Sequence, residues 1–242
     1  MWQEQIAELR GAYHCLAPDL PEHGGSMAVT PFSIAGCAQQ IADLIQERAQ
    51  GGKAHVVGLS LGAQVAVALL AAAPERLHSA LISSAMLRPA PGAWMYTPAM
   101  LKFTYQTCVA PFKNVNWWID LNARYSSGIP ERYYSYARAD FQRMTEDAWL
   151  QVMSENLNFR LPAGLDKVKV PVLVMAGEGE YEAMKQSARE LAAALPNARL
   201  ELVQHARERW FGSPFSLAQQ HNWNLNDPQR FTQRLRQWLE NL

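Results

Sequence analysis

The stretch Ala54-His-Val-Val-Gly-Leu-Ser-Leu-Gly-Ala-Gln64 decides the fold of this 242-residue chain. Its first six residues form an apolar run of strand length, and residues 61–73 continue as an apolar helix that ends before Pro74. The junction is Gly58-Leu59-Ser60-Leu61-Gly62, a G-x-S-x-G motif in a strand–turn–helix setting. We expect a side chain at either glycine to clash where the strand turns back onto the helix. Ser60 is then held at the carboxyl end of a strand, where open parallel sheets place their sites.

Ser60 is either a nucleophile or the N-cap of the helix that follows, and the motif favours the nucleophile. The backbone N–H of Leu61 lies at the helix start, where it can stabilise a developing oxyanion. A serine hydroxyl is a weak nucleophile near pH 7, so it requires a base, and the base requires an orienting acid.

The histidines are the candidate bases, and their order along the chain reduces the choice. In sheets of this class the order is serine, acid, histidine. Four histidines precede Ser60 or follow it too closely to leave room for an acid: His14, His23, His55 and His78. His205 and His221 therefore remain.

The rest of the chain alternates short apolar runs with amphipathic helices, which predicts an α/β fold with a mostly parallel sheet and helices on both faces. Helices are expected at 2–10, 34–49 and 182–194, and a last helix from the N-cap Asp227 and Pro228 to about Leu239. The further predicted strands are Tyr13–Ala17, Ser79–Ser83, Pro171–Ala176 and Arg199–Val203.

Residues 88–168 interrupt this alternation with a helical and aromatic segment. The chain has eight Trp, eight Tyr and eight Phe, and 14 of these lie in that segment. We expect residues 1–87 and 169–242 to form the core and 88–168 to form a helical cap whose aromatics mostly pack the cap itself. Trp117 and Trp118 point about 100° apart on a helix, so one is expected to line an acyl pocket and the other to pack.

Composition excludes several classes of function. Lys plus Arg and Asp plus Glu are 22 each, and this balance argues against nucleic acid as a partner. No run of 18 apolar residues predicts a membrane span, and the polar start lacks the features of a secretory signal. Three scattered cysteines, Cys15, Cys37 and Cys108, indicate neither a disulfide framework nor a zinc site, so we expect a cytoplasmic protein. No metal cluster, phosphate loop or dinucleotide fingerprint is present, and no cofactor is expected.

Four segments together resemble the α/β-hydrolase superfamily, and in particular its capped esterase-like and C–C-hydrolase-like members. They are the motif with Ala63-Gln64, the loop Ala17-Pro-Asp-Leu-Pro-Glu-His-Gly-Gly-Ser26, the run Pro171-Val-Leu-Val-Met-Ala-Gly-Glu178 and the tail His221-Asn-Trp-Asn-Leu-Asn-Asp-Pro-Gln-Arg-Phe231. The resemblance covers nearly the whole chain except 88–168, and it also implies that no cofactor is needed.

The resemblance favours His221 over His205 as the base. In the family the base is followed after a few residues by an acid-Pro pair that starts the last helix, and Asp227-Pro228 follows His221. His205 lies directly after a predicted strand. The loop between the last strand and the histidine is usually short in the family and is lengthened here by residues 207–220, which we expect to act as a flap over the site.

The acid implied by the resemblance is Glu180. The family usually has Gly-Glu-x-Asp after this strand, and this chain has Gly177-Glu178-Gly179-Glu180. Glu178 and Glu182 are the alternatives to Glu180. The other position at which the family can place its acid, after strand Ser79–Ser83, offers no carboxylate. A glutamate can orient an imidazole provided that its extra methylene is accommodated.

The expected function is hydrolysis of an ester-like acyl small molecule, in which Ser60 attacks, His221 relays the proton, Glu180 orients His221 and Leu61 N–H binds the oxyanion. One alternative is C–C bond hydrolysis by the same triad. The other is a catalytically impaired protein of this fold that only binds a ligand.

A final expectation concerns the first residues of the chain. The family takes a second oxyanion donor from a loop after the strand that precedes its first helix. Met1-Trp2-Gln3 resembles the start of that helix, so the chain is expected to be an N-terminally shortened product of a start codon assigned too late. A strand would then be missing between Tyr13–Ala17 and Ala54–Leu59.

Overall fold

In the part of the chain that the structure describes, a parallel sheet of four strands forms the centre. The computed structural model describes residues 1–89, 92–204 and 221–242. Its strands are β1 (Ala54–Leu59), β2 (Leu77–Ser83), β3 (Val172–Gly177) and β4 (Ala198–Val203), in the spatial order β1-β2-β3-β4 with every pair parallel. β3 is buried along its whole length, as expected of a strand with both faces covered. The predicted α/β fold is therefore confirmed.

The helices follow the predicted pattern closely. Among the described residues the α-helices, in chain order, are α1 (Gln3–Leu9), α2 (Ile34–Arg48), α3 (Leu61–Ala72), α4 (Pro98–Thr104), α5 (Asn116–Tyr125), α6 (Tyr134–Arg143), α7 (Glu146–Asn158), α8 (Glu182–Ala194), α9 (Trp223–Asn226) and α10 (Pro228–Glu240). The Asp227 side chain accepts a hydrogen bond from Arg230 N–H at 3.3 Å, with Pro228 as the first helical residue. The predicted start of the last helix is thus confirmed. No described helix has both the length and the apolar character needed to span a membrane.

Apolar side chains cover both faces of the sheet. Because side chains alternate along a strand, Ile82 and Val174 join one buried cluster, and Leu81 and Leu173 join the other. The first cluster includes residues of α2, α3 and α8, whereas the second includes residues of α1 and α10. These layers hold the ends of the strands in place, and the candidate site is built on those ends.

The predicted strand at Tyr13–Ala17 is wrong. These residues are in neither a helix nor a strand, and within the described ranges β1 pairs only with β2. Tyr13 and Cys15 instead pack against the second apolar cluster. A strand needs a neighbour to complete its ladder of hydrogen bonds, and this stretch has none in the described part of the chain.

Residues 88–168 lie between β2 and β3 and contain helices α4 to α7, as the sequence predicts for a helical segment. Several long-range hydrogen bonds attach this insertion to the core, and two of them involve α2 and α3. Gln64 Nε2 donates to Asn156 O at 3.0 Å, and Ile34 N–H donates to a Glu155 carboxylate oxygen at 2.8 Å.

Candidate active site

Ser60 occupies a sharp turn between β1 and α3. Its φ of 56° and ψ of −119° lie in a region that residues with a side chain rarely adopt. Several backbone hydrogen bonds hold the turn: Ser60 N–H donates to Ser83 O at 3.0 Å, and Ala63 and Gln64 N–H donate to Ser60 O at 3.0 and 3.1 Å. Strained backbone of this kind persists where the surroundings enforce it, and it is common at functional positions.

The two motif glycines are not equivalent. A Cβ on Gly58 would lie 2.5 Å from Gly62 O and 2.7 Å from Ala63 Cα, which are backbone atoms that cannot move aside. A Cβ on Gly62 would meet nothing within 4 Å. The expected clash is confirmed at Gly58 and wrong at Gly62, because the second glycine lies on α3 and its missing side chain would point into open space.

The Ser60 side chain does not cap α3, because it forms no capping hydrogen bond. This observation removes the N-cap alternative to a reactive hydroxyl. Leu61 is the first residue of α3, and N–H groups in the first helical turn have no acceptor within the helix. The turn therefore combines a hydroxyl that does not cap the helix with a backbone N–H donor at the positive end of the helix dipole.

The structure brings His221 and Glu180 together from positions 41 residues apart. His221 Nδ1 lies 2.7 Å from Glu180 Oε1. An ionised carboxylate only accepts hydrogen bonds, so the contact assigns a proton to Nδ1, and in the neutral imidazole Nε2 is then the acceptor nitrogen. Glu180 is only 5% exposed and follows the carboxyl end of β3, at the same edge of the sheet as Ser60 after β1.

The second oxygen of Glu180 is also occupied. Glu180 Oε2 accepts hydrogen bonds from Gly177 N–H at 2.8 Å and from Ser84 Oγ at 3.1 Å. Ser84 follows β2, at the position that sequence reasoning examined only for a carboxylate. Its place at the sheet edge could have identified it, but no local motif marks it.

The other candidate acids and bases are placed differently. Glu178 is exposed, and the exposed Glu182 pairs with Arg189 and Lys185. The pKa of Glu182 is lowered, mainly by the hydrogen bond from Arg189 and then by the one from Lys185. His205 and the predicted flap at residues 207–220 lie outside the described residues.

His55 and His78 contact each other near the amino ends of β1 and β2, with ring centroids 5.3 Å apart and the ring planes tilted by 37°. The pKa of His55 is lowered, mainly by burial and to a smaller extent by the neighbouring His78. This pair is at the opposite end of the strands from Ser60. Among the described residues no three or more His, Cys, Asp and Glu side chains converge as a metal site would require.

The adjacent tryptophans of α5 have different surroundings. Trp118 stacks on Phe112 with ring centroids 5.0 Å apart and an interplanar angle of 11°, and it also contacts Phe141 at 5.8 Å. Trp117 is 67% exposed. Trp118 is thus a packing residue of the insertion, and the expectation that one of the two lines a pocket stays a prediction for Trp117.

The insertion also binds the segment that follows His221. Asn222 Nδ2 donates to Ser127 O, and Arg132 donates to Leu225 O at 2.5 Å. The residue next to the histidine is therefore held directly by the loop that joins α5 to α6.

Comparison with known proteins places this geometry in a family. A family model described as "Alpha/beta hydrolase family" matches residues 1–234. An AB hydrolase superfamily protein of Gibberella zeae is 39% identical over 93 residues, which cover 38% of this chain and 32% of that protein. A pimeloyl-[acyl-carrier protein] methyl ester esterase of Nitrosomonas europaea is 26% identical and is matched over 85% of this chain and 82% of its own length. The solved structure of a thermophilic esterase from Thermogutta terrifontis superposes with a TM-score of 0.72 at 18% identity, over 99% of this chain and 84% of the esterase chain.

Proposed function

The chain belongs to the alpha/beta hydrolase family, and we propose that it hydrolyses an ester-like acyl small molecule through a covalent intermediate on Ser60. One observation carries the proposal. The 2.7 Å hydrogen bond between His221 Nδ1 and Glu180 Oε1 lies at the same sheet edge as a serine whose strained turn presents a hydroxyl that caps no helix. Family membership supports hydrolase activity, and this pairing supports the serine mechanism.

In the proposed mechanism each residue has one role. Glu180 fixes the imidazole with its proton on Nδ1, so Nε2 can take the proton from Ser60 Oγ as that oxygen attacks the acyl carbon. The Leu61 N–H stabilises the oxyanion. When the bond to the leaving group breaks, His221 returns the proton to the departing alcohol. Water then attacks the acyl-enzyme with His221 again as base, and the acid product and free Ser60 result.

The insertion at 88–168 is proposed to be a cap over this site. It leaves the sheet after β2, at the edge where Ser60 follows the parallel strand β1. Its loop at Ser127 also binds Asn222, next to the proposed base. A cap rich in aromatic side chains suits a small to medium apolar acyl group, and Trp117 is the proposed contact to it.

An ester-like or related acyl substrate is proposed because a relative matched over 85% of this chain is named as a methyl ester esterase and another, matched over 98%, as a putative carbamate hydrolase. Serine at position 60 suits acyl transfer to water, and no cofactor is needed for that step. The partner of the site is therefore proposed to be an ester-like small molecule.

Hydrolysis of p-nitrophenyl esters of increasing acyl length tests the proposal. The wild type should turn over at least one ester, and Ser60→Ala should lose about 10⁴-fold or more in kcat. Ser79→Ala is the matched control, because Ser79 is buried on β2 and hydrogen-bonds to His55, at the other end of the strands. Ester turnover that Ser60→Ala leaves intact would refute the proposal.

A further inference from the structure

A buried chain of hydrogen bonds reaches Glu180 from the side opposite His221. Glu180 Oε2 accepts from Ser84 Oγ at 3.1 Å, and Ser84 Oγ lies 3.5 Å from Ser83 Oγ. Ser83 Oγ in turn accepts a hydrogen bond from Trp223 Nε1 at 3.1 Å. All four side chains belong to residues that are at most 5% exposed, so water does not replace these contacts.

The chemistry of the two ends fixes the direction of every proton in this chain. An indole N–H can only donate, and an ionised carboxylate can only accept. Trp223 therefore donates to Ser83, Ser83 directs its proton to Ser84, and Ser84 donates to Glu180. The result is a line of donors that points at Glu180 Oε2 and orients the carboxylate.

The chain of hydrogen bonds also closes a ring around the proposed acid–base pair. Trp223 lies only two residues after His221, so one short segment contacts Glu180 by two routes. The direct route is the hydrogen bond of His221 Nδ1, and the second runs through the two serines. A carboxylate held from both sides cannot rotate away from the imidazole without breaking buried hydrogen bonds.

The backbone of Ser84 supplies an independent observation. Its φ is 57°, in the left-handed region that favours glycine, and its N–H donates to Met175 O on β3 at 2.9 Å. A glycine would adopt this conformation without strain. Serine at a position that suits glycine indicates that its side chain has a use, and its hydroxyl reaches Glu180.

This further inference rests on the proposed function. We propose that Ser84 is a positioning residue, which acts through Glu180 and is itself oriented by Ser83 and Trp223. A glutamate has one more rotatable bond than an aspartate, so its carboxylate needs additional fixing before it can orient His221. The donors from Gly177 and Ser84 on Oε2 provide that fixing.

Removing the Ser84 hydroxyl should lower kcat for the best p-nitrophenyl ester about 10- to 150-fold, the range expected for a lost hydrogen bond to a charged group. KM should change less than threefold, because Ser84 is buried and its hydrogen-bond partner is Glu180. Ser84→Gly and Ser84→Ala form a matched pair, since both lack the hydroxyl but only glycine relieves the backbone strain. Both should lose activity alike, whereas the urea midpoint of Ser84→Gly should equal or exceed that of Ser84→Ala. Ser79→Ala is the control for a buried serine, because Ser79 lies in the first half of β2, away from Glu180.

A double-mutant comparison tests whether the hydroxyl acts through the carboxylate. Combined with Glu180→Gln, Ser84→Gly should lower kcat by less than threefold more, because the partner of the hydroxyl has already been altered. Losses that multiply in the double mutant would overturn the inference. The inference would also be overturned if Ser84→Gly and Ser84→Ala kept a kcat within threefold of the wild type while Ser60→Ala was inactive. That result would leave the proposed function intact. Ester turnover that persists in Ser60→Ala would overturn both proposals.

Discussion

Glu180→Gln is the substitution that best tests the proposed acid, because the amide has nearly the shape of the carboxylate but cannot satisfy the same three donors. Glu180 accepts hydrogen bonds from His221 Nδ1, Gly177 N–H and Ser84 Oγ. If the amide nitrogen faces His221, then Nδ1 becomes an acceptor, the proton moves to Nε2, and the ring cannot take a proton from Ser60. If the amide nitrogen faces Gly177 instead, a buried backbone N–H loses its acceptor.

The magnitude follows from these two orientations. Loss of a hydrogen bond to a charged group costs about 1.5–3 kcal/mol, which corresponds to roughly 10- to 150-fold in rate. The wrong imidazole tautomer alone lowers kcat by about 10⁴-fold in the serine protease triad. We therefore expect Glu180→Gln to lower kcat between about 10²- and 10⁴-fold, which is less than the loss in Ser60→Ala.

The assay is the dependence of kcat on pH from 5 to 9 for a saturating p-nitrophenyl ester. Glu178→Gln and Glu182→Gln are matched controls, because both glutamates are exposed neighbours on the same loop and helix, and each should stay within twofold of wild type. A Glu180→Gln enzyme within threefold of wild type would refute the assignment. A large loss in either control would move the acid to that position.

The remaining predictions concern the turn, the insertion and a buried thiol. Gly58→Ala should lower the free energy of unfolding in urea by about 3 kcal/mol or more, because its Cβ would collide with backbone atoms, whereas Gly62→Ala should change it by less than about 1 kcal/mol; equal effects would contradict the geometry of the turn. Trp118→Ala should lower the same free energy by about 2–4 kcal/mol through lost ring packing, whereas Trp117→Ala should leave it nearly unchanged and alter the preferred acyl length. An unchanged acyl preference in Trp117→Ala would exclude that residue from the pocket. Burial raises the pKa of Cys37 to about 11, so its thiol is almost fully protonated at pH 8. The exposed Cys108 should therefore react first with a disulfide reagent, and Cys37 should react only after unfolding. Early labelling of Cys37 in the folded protein would contradict its burial.

Most elements of the fold could be predicted because their signals are local. The 3–4 spacing of apolar residues gives α2, and the cap Asp227 with Pro228 gives the start of α10. The turn at Ser60 could be predicted because it needs a glycine at position 58, and that glycine is visible in the sequence as part of the motif.

The failures arose where a local pattern depends on a distant partner. Tyr13–Ala17 has the composition of a strand, but composition does not supply the neighbour that a strand needs. Gly62 fits the motif, yet whether a side chain fits there depends on open space that only the fold reveals. Ser84 was missed as a partner of Glu180 because 96 residues separate them, and its positive φ leaves no mark in the sequence.

The most direct test of the account is to locate the covalent adduct left by a fluorophosphonate probe. After tryptic digestion, Ser60 is the only serine in the peptide spanning residues 54–76, so the modified residue can be assigned from one mass. We expect a single adduct on that peptide, no adduct in Ser60→Ala, and labelling slowed at least 100-fold in His221→Ala because the base is gone. An adduct on another peptide, or equal labelling rates in the wild type and His221→Ala, would contradict the claim that Ser60 is a nucleophile activated by His221.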